Sequence, residues 1–332
     1  MTTDSGVWTR ELTAVEIAAV GEAAESFLAT GRDLTSITTE DARLGPLTSE
    51  LIGLRSELID GRGFCRLRGL PVGSWGLEKS AAAFMGLGAH IGHARSQNAK
   101  GHVLGHVRDL GLNSDDTDVR VYQTSERQTF HVDSADVVGL LCVNDAQEGG
   151  ESLLVSAVTV FNEMREQRPD LAAVLFDPIA TDRRGEVPEG MRPYCMIPVL
   201  SWHQEKLTVM YQRQYIESAQ RFEDAPRPAA AQIAALDLFD ALANDTRLHL
   251  RMRLEPGDIQ FVYNHHLLHD RTAYVDPPEG GRLRHLLRLW LSVPADRPLP
   301  PVFAERYGAV TPGDRGGIAV PRSRMHAPLE PA

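Results

Sequence analysis

No stretch of this sequence stays apolar long enough to span a membrane, and no run of basic residues interrupts its acidic balance. The first absence leaves no candidate transmembrane helix. The second, with a formal net charge of −11, argues against nucleic acid or an anionic membrane as partner and leaves a small molecule as the expected ligand. The first residues, Met1-Thr2-Thr3-Asp4-Ser5, lack the basic and apolar segments of a signal peptide, so a cytoplasmic location is expected. Cysteine is scarce: Cys65, Cys142 and Cys195 are far apart, odd in number and form no Cys-x-x-Cys pair. Neither a disulfide framework nor a zinc ribbon follows, and the three read as small core residues.

Linkers and repeats are also missing, and 42% hydrophobic residues can bury an ample core. We expect one domain over 1–332: N-terminal helices over 1–60, a core with helical insertions over 61–295, and an extended Pro- and Gly-rich tail over 296–332. That tail could cover the core or a neighbouring subunit of a homo-oligomer.

Thr13 and Glu16 form a capping box ahead of Ile17, Val20, Ala24 and Phe27 at helical spacing, with Gly31 as the stop. Leu47, Leu51, Leu54 and Leu58 make a second helical stripe, and a third helix is expected over 77–91. The 96–118 stretch, rich in Gly, Asn and Asp, reads as a long irregular loop. Strands are expected over 63–70, 119–122, 129–133, 137–143, 152–155, 196–200, 207–211, 248–254, 259–263 and 282–293, with helices over 158–166, 169–176 and 229–243. Strands spread over the whole chain with helices between them give a mainly β fold with peripheral helices, a distorted double-stranded β-helix of the cupin-like jelly-roll kind.

The chemistry gathers around Phe130-His131-Val132-Asp133. Side chains two apart on a strand share a face, so His131 and Asp133 can hold one metal ion. A second histidine would complete a two-His, one-carboxylate triad with open positions, the arrangement of non-haem Fe(II) oxygenases. His265, His266 and His269 are candidates, with His266 on the opposite face of a continuing strand. His102 and His106 are four apart, a spacing that serves a metal only on a helix, which Gly101 and Gly105 disfavour.

The order His131-x-Asp133, Gly149-Gly150-Glu151-Ser152-Leu153, Pro256-Gly257-Asp258, Asn264 with His269-x-Arg271, and Arg284-x-x-x-Arg288 resembles the TauD/TfdA, or taurine dioxygenase-like, family of Fe(II)- and 2-oxoglutarate-dependent oxygenases, together with its clavaminate synthase-like relatives. The likeness covers about residues 60–295. It implies His131, Asp133 and His269 as catalytic iron ligands, Arg284 as the partner of the distal carboxylate of 2-oxoglutarate, and Ser152 as a hydroxyl on that carboxylate. Only a guanidinium makes the two parallel hydrogen bonds such a carboxylate accepts. Arg288 matches a position that contacts substrate or co-substrate, while Arg282 lies nearer the loop and is the weaker match. The implied reaction spends O2 and 2-oxoglutarate, releases succinate and CO2, and oxidises an unactivated C–H bond. Hydroxylation is the simplest outcome. Asp133 argues against a halogenase, since related halogenases carry a small residue there.

For the substrate, Asn98, Tyr122, Phe130 and Arg213 are candidate pocket residues, with Gln123 and Tyr211 beside them. Arg213 and Arg288 suggest an anionic group, so a small carboxylate-bearing molecule such as an amino acid is expected. Two other readings are a cupin-like metal protein or non-oxidative metalloenzyme that does not use 2-oxoglutarate, and a binding protein that has lost oxidation. The first gives Arg284 and Ser152 no carboxylate to hold, and the intact ligand set argues against the second.

Overall fold

Alternation along the strands sorts the side chains into three buried layers. The computed structural model describes residues 5–113, 119–277, 282–318, 320 and 323–331. Its larger sheet runs in the order Thr9–Glu11, Phe64–Arg68, Ile259–Tyr263, Val137–Asn144, His285–Ser292 and His93–Arg95, with Leu104–Val107 also paired to His285–Ser292. A second sheet runs His249–Met252, Ser152–Ser156, Leu267–Arg271, Gln128–His131. Leu287, Leu289 and Leu291 pack outward with the helices Ala14–Leu28, Pro46–Asp60 and Val72–Ile91. Leu286 and Trp290, on the opposite face of the same strand, share an inter-sheet cluster with Val138, Leu154, Leu250 and Val262. Leu153, Val155 and Leu268 face the other way, against the helices Ala157–Gln167 and Ala230–Ala243. This is the expected jelly roll, and all three cysteines are buried in it.

The first helix starts as the capping box requires, with Thr13 and Glu16 each accepting from the other's backbone amide; a cap of this kind stabilises by about 1 kcal/mol. The third begins earlier than expected, at Val72, but breaks at Gly76, where φ is 75°. Regular helix therefore starts at Leu77. The hairpin around Gln204 and Glu205 forms between Leu200–His203 and Lys206–Val209, both turn residues having positive φ.

Three expectations need correction. The 96–118 stretch is not one irregular loop: Leu104–Val107 joins the large sheet, with His106 opposite Leu287. Positions 114–118 lie outside the described residues. The strand expected over 119–122 is a short 3-10 turn, Val121–Gln123, in which Gln123 accepts from the Arg120 amide. The tail is not simply extended: it makes a turn at Pro301–Phe303 and a helical turn at Ala304–Tyr307, and buries Arg306, Tyr307 and Arg315. Arg315 is the reason. Fully buried, it pairs with Asp136 at 2.7 Å and Asp296 at 2.6 Å, tying the tail beneath the turn that carries Asp133. Among the described residues no helix is long and apolar enough to cross a membrane.

Candidate active site

His131 and His269 stand directly opposite each other in antiparallel strands, so their rings share a face with centroids 4.1 Å apart. Between this pair and the next, Arg271 opposite Gln128, the register shifts. Such bulges re-aim side chains. Asp133 follows just past the strand end, Oδ1 lying 3.9 Å from His131 Nε2 and Oδ2 3.8 Å from His269 Nε2. The ligand atoms of the three residues all fall within 4.8 Å of one another.

The surroundings prepare these groups for a cation. The Thr129 carbonyl can only accept, so the 2.8 Å contact puts the His131 proton on Nδ1 and leaves the Nε2 lone pair facing the centre. Gln128 Nε2 lies 2.9 Å from that lone pair and must swing away when a metal binds. His269 Nδ1 is buried without a partner. Burial depresses both imidazoles, His269 to about 3, so each is neutral. Burial would raise the Asp133 carboxyl, but the Arg288 guanidinium and the hydrogen bond from the Trp290 indole hold it below its usual range. Two neutral imidazoles and one carboxylate is the set that Fe(II) takes.

Behind the triad is a narrow crevice lined by Gln128, His131, Ser152, His269, Arg271, Arg284 and others. Arg284 is buried against Tyr274, its Nη2 donating to the Gly150 carbonyl at 3.2 Å while Nη1 has no partner. Gly150, at φ 72°, is required here, because a Cβ would stand 2.7 Å from Arg284 Nε. Arg271 flanks the same tyrosine, its Nε also unpartnered. Ser152 Oγ donates to Gln260 Oε1 at 2.9 Å; a half-turn of that amide would free the hydroxyl for a carboxylate. The residues therefore fit a dicarboxylate held by Arg284. The crevice is closed to about 40 Å³, far below the roughly 300 Å³ of a small ligand pocket, so its side chains must part to admit 2-oxoglutarate.

In front lies an open cavity of about 430 Å³. Arg288 and Gln128 line both spaces. Arg288 is fixed by Gln97 Oε1 at 2.7 Å, by the faces of Tyr122 and Trp290, and by Asp133 at 3.6 Å.

A model of the taurine catabolism dioxygenase TauD, TfdA family matches residues 30–290. The chain belongs to that family. This TauD/TfdA chain is 33% identical over 306 residues to FR-33289 synthase of Streptomyces rubellomurinus, covering 90% of this chain and 88% of the relative. It is 31% identical to a uridine-5'-phosphate dioxygenase of an Amycolatopsis species over 50% of this chain and 62% of the other. Its fold matches asparagine oxygenase in complex with Fe(II), 3-hydroxyasparagine and succinate, at TM-score 0.65 and 20% identity over 86% of this chain and 93% of that one. It likewise matches the non-heme iron oxygenase OrfP with Fe and alpha-ketoglutaric acid, at TM-score 0.64 and 15% identity over 85% and 93%. The chain is thus a non-haem iron dioxygenase using Fe(II), 2-oxoglutarate and O2, and the reading without 2-oxoglutarate falls.

Against the sequence expectations, His131, Asp133 and His269 come together, Ser152, Arg284 and Arg288 line the crevice, and Tyr122 faces the open cavity. Arg282 is exposed. His265 and His266 sit in a turn, not a continuing strand, and His265 is buried against Asp136 at 2.7 Å. His106 bonds His285, and His102 meets His326. Three substrate candidates, Asn98, Phe130 and Arg213, lie outside the linings of both spaces. Asn98 is turned into its own loop, accepting from the amides of Lys100 and His102. Phe130 alternates with His131 and so points into the core beside His249. Arg213 is held by Glu217, Asp237 and Asp240 on a surface helical turn. Tyr211 spends its hydroxyl on Asp240.

Sequence reasoning missed Gln97, Gln128, Tyr274, Trp290, Arg120, Arg184 and Arg306. For Trp290 a signal existed: Arg284, Leu286, Arg288 and Trp290 alternate onto one strand face. Gln97, Arg120 and Arg184 arrive from loops, where no period applies, and Gln128, Tyr274 and Arg306 from elements too short to show one.

Proposed function

We propose that His131, Asp133 and His269 hold the iron, that Arg284 and Ser152 hold the distal carboxylate of 2-oxoglutarate, and that the chain hydroxylates a C–H bond of a small anionic molecule in the front cavity. The observation that carries this reading is the triad's position between two spaces that share Arg288 and Gln128. When bound, iron with 2-oxoglutarate and O2 supplies the oxidation, one oxygen atom entering the product and the other leaving in succinate as CO2 is released. The protein's own groups do the positioning. Arg288 keeps Asp133 ionised, and the Trp290 indole fixes the carboxylate's rotation. Tyr122 and Gln97 hold Arg288 in turn.

The amino acid expected from the sequence is the simplest anionic substrate, and the asparagine oxygenase complex with 3-hydroxyasparagine supports it by analogy. We take residues 1–332 as one domain acting as a unit, with a cytoplasmic location and homo-oligomerisation as further readings.

The test is anaerobic titration with Fe(II) and then 2-oxoglutarate, followed by the weak visible charge-transfer band of the chelate. A band lost in His269→Ala and weakened in Arg284→Ala supports the assignments. Fe(II) binding with no band on adding 2-oxoglutarate would reject the roles of Arg284 and Ser152.

A further inference from the structure

The front cavity carries three guanidiniums that neither iron nor 2-oxoglutarate requires. Arg120 precedes the Val121–Gln123 turn, Arg184 follows the Ile179–Asp182 strand, and Arg306 lies in the Ala304–Tyr307 helical turn. Their guanidinium carbons stand 5.8, 5.7 and 5.9 Å from the centroid of one ring, Tyr215. Four separate segments thus bring three guanidiniums to one aromatic ring on the lining of a single cavity.

The arrangement is built, not incidental. Arg120 Nη2 donates to the Arg184 carbonyl at 2.8 Å, and Arg184 Nη2 donates to the Val119 carbonyl at 3.1 Å, a reciprocal clamp. Arg184 has a left-handed backbone, φ 52°, which an arginine rarely adopts; Asp182 holds it there by accepting its amide at 2.7 Å. Arg306 Nε donates to Ser134 Oγ at 2.8 Å, one residue beyond Asp133. Two donors remain buried without partners, Arg120 Nη1 and Arg184 Nε.

Charge points the same way. Among the described lining residues the carboxylates are Asp133, Glu186 and Glu217. Asp133 belongs to the triad and Glu217 is taken by Arg213 at 2.7 Å, so Glu186, 3.3 Å from Arg120, stands alone against three cations. The cluster carries an excess of two positive charges and lacks a counter-ion. A carboxylate offers one charge and two oxygens in a plane. A phosphoryl or phosphonyl group offers nearly two charges and three oxygens in a tripod, one for each of three guanidiniums on one cavity lining.

We propose that Arg120, Arg184 and Arg306 form a binding subsite for a phosphoryl or phosphonyl dianion, and that the molecule oxidised is a small organophosphate or organophosphonate anchored there with a C–H bond towards the triad. The second half rests on the oxygenase reading; the subsite itself does not.

The experiment is calorimetric titration of the full chain with methylphosphonate, and with acetate and glycine as the competing anion chemistries. Methylphosphonate is expected to bind at least about tenfold more tightly than either. Arg184→Asn, which tolerates the left-handed backbone, and Arg306→Gln are each expected to lower that affinity about tenfold or more, with circular dichroism checking the fold. Equal binding of acetate, no binding of methylphosphonate, or folded variants that bind as well as the parent would overturn the subsite. The Fe(II) and 2-oxoglutarate band of the unsubstituted chain reads the oxygenase assignment separately, so the two failures are distinguishable.

Discussion

The indole Nε1 of Trp290 donates a 2.8 Å hydrogen bond to Oδ2 of Asp133. With Arg288 Nη1 3.6 Å from the same oxygen, this fixes the carboxylate's rotation and leaves Oδ1 towards His131. Trp290→Phe keeps most of the ring and removes only the donor. Supporting groups around metal ligands are commonly worth 10- to 100-fold in affinity, so Fe(II) affinity is expected to fall by about tenfold or more in anaerobic titration. Unchanged affinity would strip Trp290 of this role.

Arg284 reaches the crevice with Nη1 unpartnered and Nη2 on the Gly150 carbonyl. Arg284→Lys retains the charge but not the fork. The 2-oxoglutarate concentration that half-saturates the visible band should rise by at least about tenfold, with lysine giving little rescue over alanine. A lysine variant that matched the parent would show that charge alone suffices.

Arg315 is enclosed between Asp136 and Asp296 with no exposure. Removing one partner of a buried ionic network typically costs about 3–5 kcal/mol. Arg315→Met is expected to lose that much in urea unfolding, and Arg315→Met combined with Asp296→Asn to recover part of it. A single variant within 1 kcal/mol of the parent would contradict this account.

His285 lies against His106, with ring nitrogens 2.8 Å apart, and burial beside that second imidazole pushes it down to about 3. Its unfolded value is near 6.5. Between these limits the unfolded chain binds the extra proton, so stability rises with pH there. The contribution is therefore complete above about 6.5 and is lost progressively as pH falls towards 3. His285→Gln should flatten that acid limb of the thermal-melting profile between pH 6.5 and 4. An equally steep limb would assign it to other groups.

Arg213 is engaged by three carboxylates away from the cavity lining. Arg213→Ala should leave succinate release with a turnover substrate unchanged, and stability within about 1 kcal/mol. A loss of coupled turnover would return Arg213 to the substrate site.

Periodicity and local chemistry were legible along the chain. Alternation put Leu286 and Trp290 on one face and Leu287 and Leu289 on the other; the Thr13 and Glu16 pair set a helix start; and the order of His131, Asp133, His269 and Arg284 carried the resemblance. The tertiary structure brings His269 rather than His265 to His131 and Asp133, because a turn after Tyr263 breaks the alternation on which their comparison rested, and Asp136 claims His265. It also gives the polar groups of Asn98 and Arg213 local partners. And it alone assembled Arg120, Arg184 and Arg306 around Tyr215. Those three are scattered over nearly two hundred positions, in loops and a tail with no repeating pattern. Their meeting depends on the closure of the two sheets and on the buried Arg315 that draws the tail in, and a linear reading contains no distance between residues so far apart.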